Sequence, residues 1–102
     1  MTEWYEHMFF GEKASRHRFD ILERIRRKKG LRGIYVIVPP SNPGNILDII
    51  PAAELAKAQY EEGRDLLVVG VAKGYDEALE TAGRIVGQLY RTTGTFELER
   101  ML

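Results

Sequence analysis

Five side chains able to hold a polar ligand fall in two short segments, each following a strongly apolar run. Ser41, Asn42 and Asn45 lie in SNPGN, after Ile34-Tyr35-Val36-Ile37-Val38 and the Pro39-Pro40 pair. Lys73 and Tyr75 flank Gly74, after Leu66-Leu67-Val68-Val69-Gly70-Val71. A hydroxyl, two amides, an ammonium and a phenol, with the backbone N–H groups of a helix that starts at Gly74, suit a small polar molecule. They meet only if the two apolar runs are parallel neighbours, because the loops leaving the C-terminal ends of parallel strands share one edge of the sheet.

The order strand, glycine turn, helix start in VVGVAKGYDEA is the order that phosphate-binding loops use. It is neither a Walker A nor a G-x-G-x-x-G motif, since Gly70 and Gly74 stand four apart and no Ser or Thr follows Lys73. Asp76 and Glu77 occupy the first turn, where they complement the helix dipole and repel a second anion. On the plainer reading Gly74 is a cap, Glu77 reaches back as in a capping box, and Lys73 is solvated.

A second group is purely electrostatic. Arg24, Arg26, Arg27, Lys28, Lys29 and Arg32 place six cations in nine residues, enough to touch several phosphates of a nucleic acid. Against that stand Asp20 and Glu23, each four residues before an arginine, a net charge of zero and the lack of any RRM, KH or zinc-finger pattern. A solvated helix end is the favoured expectation, with a nucleic-acid-binding accessory role as the alternative.

Little else in the chain points to chemistry. With no cysteine there is no thiolate nucleophile and no Cys-based metal site. His7 and His17 form no metal-ligand spacing, and Ser15 and Ser41 have no base near them in sequence. The expectation is a non-catalytic module without cofactor or metal.

The elements that must position these residues follow from periodicity. Residues 12–29 show Ala14, His17, Ile21, Leu22 and Ile25 at helical spacing. The two continuously apolar runs predict strands covered on both faces. Residues 46–50 fit either a helical turn or a short strand. Pro51 opens a helix with Ala52, Leu55, Ala56 and Tyr60 inward and Gly63 as its stop. From Gly74 to Thr92, Tyr75, Ala78, Leu79, Ala82, Ile85, Val86 and Leu89 form one stripe. Residues 95–99 alternate as a strand would, with a short terminal helix as the alternative.

The 102 residues, 44% of them hydrophobic, allow one core and therefore one domain over residues 1–102. The expected fold is α/β, a small mainly parallel sheet of two or three strands with packed helices, in the order helix–strand–helix–strand–helix–strand. Gly83 and Gly87, four apart in the last long helix, each cost about 1 kcal/mol relative to Ala. They suggest a smooth face against the sheet of the same chain or, as the alternative, against a second copy of the chain in a homodimer. No apolar run approaches the roughly 20 residues that span a membrane, so a cytoplasmic address is expected.

At GVAKGYDEALE, SNPGNILDIIPAAEL and FGEKASRHRFDIL the chain resembles a set of small bacterial proteins of the Firmicutes to which no chemistry is assigned. The resemblance covers most of residues 8–102, carries over no functional residue and lowers the expectation of a familiar enzyme.

Overall fold

The computed structural model describes residues 2–55 and 66–102. In chain order these form β1 (Thr2–Phe10), α1 (Glu12–Arg16), α2 (Arg18–Arg27), β2 (Ile34–Val38), β3 (Asp48–Pro51), the helical residues 52–55 (α3), β4 (Leu66–Lys73), α4 (Tyr75–Thr93) and a 3-10 turn at Leu98–Arg100. The four strands make one sheet in the order β1-β4-β2-β3.

This corrects the expected parallel sheet. β1 and β4 are parallel, but β2 pairs antiparallel with both β4 and β3. The reason is β3. Residues 48–51 take the strand alternative, paired Val38↔Asp48 to Tyr35↔Pro51, and reverse the chain before α3 begins. The connection that begins with α3 therefore leads from β3 to β4, which point the same way with β2 between them. A crossover does join parallel strands here, but the strand it leaves is β3 and not β2.

Three further expectations change. The helix over 12–29 breaks at His17, whose φ of −127° and ψ of 31° separate α1 from α2, and His17 is exposed rather than on the apolar side. β1 has no counterpart among the expected elements. Residues 95–99 do not form a third expected strand; the C-terminal element is the 3-10 turn, with Leu98 buried. The positions Ala56, Tyr60 and Gly63 lie outside the described residues.

Helices cover both faces of the sheet. On one face Ala14, Ile21 and Ile25 of α1 and α2, with Ala52 and Leu55 of α3, pack on Ile34, Val36, Val38, Val68 and Val71. On the other, Ile85 and Leu89 of α4, with Leu98, pack on Ile37 and Val69. The buried side of α4 is Ala78, Thr81, Ile85 and Leu89, so the helix is rotated from the expected stripe, and Tyr75 and Leu79 face outward. Thr81 is tolerated in the core because its hydroxyl donates to the carbonyl of Glu77 at 2.7 Å. Among the described residues, no helix is long and apolar enough to cross a membrane.

Candidate functional site

Antiparallel pairing of β2 with β4 separates the residues expected to share a pocket. Ile34 lies opposite Lys73 and Ile37 opposite Gly70, so the loop after Val38 leaves at the far end of the sheet from Lys73. Val38 stands four residue steps along β2 from Ile34, about 13 Å. The shared rim on which Ser41, Asn42 and Asn45 would meet Lys73, Gly74 and Tyr75 does not form.

Each half is instead tied down locally. The backbone N–H and hydroxyl of Ser41 both donate to Asp48 Oδ2, at 2.9 and 2.8 Å. Asn42 Oδ1 accepts the N–H of Gly44, and its carbonyl accepts the N–H of Asn45. At the other end Gly74 adopts φ 91°, a region open to glycine, and its N–H donates to the carbonyl of Gly33 at 2.7 Å. The Tyr75 ring meets Tyr35 edge-on, 5.6 Å between centroids.

Glu77 does not close a capping box on its own helix. Its carboxylate accepts the backbone N–H of Lys73 at 2.7 Å and, from α1, those of Lys13 and Ala14 at 2.5 and 3.2 Å. Burial pushes the Glu77 carboxyl up. The three N–H donors, helped by the charge of Lys13, outweigh that and hold it below the usual carboxylate range. The start of α1 thus already carries an anion supplied by α4. Gly11 makes this possible, since a Cβ there would overlap the Glu77 side chain.

Two cavities border this junction. The larger, about 660 Å3, lies between α1 and α4 at the ends of the parallel pair β1 and β4, and is lined by Phe10, Gly11, Glu12, Ser15, Arg16, Glu77, Glu80, Thr81 and Arg84. Several of its polar groups are already engaged. Arg16 pairs with Glu12 at 2.9 Å, Arg84 donates to the carbonyl of Phe10 at 2.5 Å, and the Ser15 hydroxyl lies 3.4 Å from its donor on Arg18.

The smaller cavity, about 140 Å3, lies between α2 and the paired ends of β2 and β4, lined by His17, Asp20, Ile21, Arg24, Arg32, Ile34 and Lys73. It joins Lys73 to two members of the basic run. The Ile34↔Lys73 pairing and the Gly74–Gly33 hydrogen bond bring the segment of Arg32 beside Lys73, and α2 supplies Arg24. Arg24 pairs with Asp20 at 3.0 Å, the one carboxylate lining the cleft. Among the described residues the side chains of Arg32 and Lys73 make no ion pair.

The rest of the basic run is arranged differently. Arg26 and Arg27 share the carboxylate of Glu23, at 2.5 and 2.8 Å. Hydrogen bonds from Arg26 and then Arg27 hold the Glu23 carboxyl below its usual range. Lys28 takes the left-handed conformation that ends α2, and Lys29 is exposed beyond it. No group of three or more His, Asp or Glu side chains that could hold a metal ion occurs among the described residues. No family model, no curated protein and no solved structure matches the chain, so its functional reading rests on this geometry.

Proposed function

We propose that the protein is a non-catalytic module that binds a small anionic ligand, of the size of a phosphate or carboxylate group, in the cleft between α2 and the ends of β2 and β4. The observation that carries this reading is the convergence of Arg24, Arg32 and Lys73 on one 140 Å3 cleft lined by a single carboxylate. An anion about 4 Å from a partly solvated cation gains roughly 1–4 kcal/mol. Two cations without an ion pair among the described residues therefore support binding in the millimolar range, about −4 kcal/mol.

The chemistry favours binding over turnover. Glu77 is held in its ionised form, which suits a structural anion rather than a proton donor at neutral pH. The Ser15 hydroxyl faces a guanidinium donor and not a base. The engagement of Arg26 and Arg27 by Glu23 favours the cleft over the helix end as the anion contact.

Calorimetry at low salt with inorganic phosphate and with acetate tests the reading. Phosphate is expected to bind with a Kd of about 1 mM, and Lys73→Ala or Arg32→Ala to weaken it roughly tenfold. Phosphate binding indifferent to both changes refutes the cleft. Retention of a nucleic acid that falls steeply with salt, is lost in Arg26→Glu/Lys29→Glu and is kept in Lys73→Ala would favour the accessory role instead.

A further inference from the structure

α4 carries a second apolar stripe that the sheet leaves half-exposed, Tyr35 meeting it only at Tyr75. Tyr75 is 53% exposed, Leu79 49% and Tyr90 54%. Phe96, 52% exposed, stacks on Tyr90 with ring centroids 5.1 Å apart. Gly83 lies beside this stripe, and nothing stands within 4 Å of where its Cβ would be. Packing within the chain therefore does not account for a glycine that costs about 1 kcal/mol in an exposed helix.

The charges on α4 are ordered along its length. Asp76 and Glu80 lie before Gly83, and Arg84 and Arg91 after it. Asp76, Glu80 and Arg91 make no ion pair among the described residues. A partner helix running parallel would set like charges side by side, whereas an antiparallel one sets the acidic half against the basic half.

We propose that this face binds a second copy of the chain, with the two α4 helices antiparallel about a two-fold axis at Gly83. Positions equally far on either side of the axis then meet. Leu79 falls against Gly87 of the second copy, over which only the flexible end of Arg91 lies, and Asp76 falls against Tyr90 of the second copy, one residue from Arg91. Glycine at the crossing lets the axes approach to the short end of the usual 8–10 Å. Arg91 lies over Gly87 within its own chain, 3.2 Å from the position of a Cβ there, and its flexible end is what moves to meet Asp76. The face is separate from the anion cleft, so either assignment can fail alone.

The chain has no cysteine, so one introduced thiol gives an unambiguous cross-link. A disulfide needs Cα atoms within about 7 Å. About the proposed axis residue 83 meets itself, while the two copies of residue 79 stand about 12 Å apart along the helices. Wild-type protein is expected to sediment at twice the chain mass at about 100 μM, a concentration that saturates a micromolar dimer. Gly83→Cys should oxidise to a covalent dimer, with Leu79→Cys roughly tenfold slower. Leu79→Glu should be monomeric with unchanged helical circular dichroism, since Leu79 is outside the core. A monomeric wild type, a dimer that survives Leu79→Glu, or Leu79→Cys cross-linking as fast as Gly83→Cys would each overturn the proposal.

Discussion

Glu77→Ala is expected to lower the folding free energy by about 2 kcal/mol, roughly 8–16 °C in Tm for a domain of this size. One carboxylate serves N–H groups from α1 and from the end of β4, so its loss leaves donors of two elements without their acceptor at once. The figure is held below the sum of three charge-assisted bonds because solvent reaches part of the junction. Glu77→Gln should recover only part, since its one carbonyl oxygen still accepts while its NH2 sets donors against a donor and the charge is lost. The pH dependence has a definite sign. A carboxyl held below its ordinary value of 4.5 stabilises the fold above that value and loses the contribution as pH falls through the lower folded one. The Tm gap between wild type and Glu77→Gln should therefore be constant around neutrality and close below about pH 4.5. Gly11→Ala should reproduce most of the loss, by displacing the carboxylate, yet be nearly neutral in a Glu77→Ala background. Thermal melts of the two single variants and the double variant check this, and additive losses would show that Gly11 is needed for another reason.

Gly70→Val is expected to cost about 2–3 kcal/mol, and Gly70→Ala about 1 kcal/mol. Gly70 lies in β4 opposite Ile37, where a Cβ would stand 3.1 Å from Ile37 Cδ1 and 3.2 Å from Ile85 Cδ1. Both isoleucines are fully buried, so neither methyl has space to retreat into. The close approach seats α4, and with it Glu77, against the end of β4. In urea the midpoint should fall with the slope m unchanged, the mark of a native-state packing loss. A variant as stable as the wild type would mean that α4 does not sit this close to the sheet.

Much of the local structure is visible in the residues. The apolar run closed by Pro39-Pro40 is β2, and the periodic segment after Gly74 is α4. What stayed hidden was long-range pairing. β1 escapes notice because its register against β4 shifts between Trp4 and Phe9, which removes the alternation that marks a strand. Asp48–Pro51 is four residues long, too short to decide its state by pattern, and that one element sets the direction of β4. The rotation of α4 was obscured by Thr81, a polar residue whose local hydrogen bond fits it for the core, and by Tyr75 and Leu79, apolar residues left outside.

The cleft shows the same division. Lys73, Arg24 and Arg32 stand out in the sequence as members of two unrelated sets, one for a polar ligand and one for nucleic acid. Only the antiparallel register, with Ile34 opposite Lys73, gathers them. The pairing that dissolves the expected rim is thus what builds the cationic site.

Amide shifts of isotopically labelled protein, followed by NMR during titration with inorganic phosphate, test that assignment most directly. Shifts concentrated at Arg24, Arg32, Gly33, Lys73 and Gly74, absent in Lys73→Ala, are the predicted result. Shifts centred on residues 12–16 and 80–84, on residues 41–45, or nowhere, would contradict it.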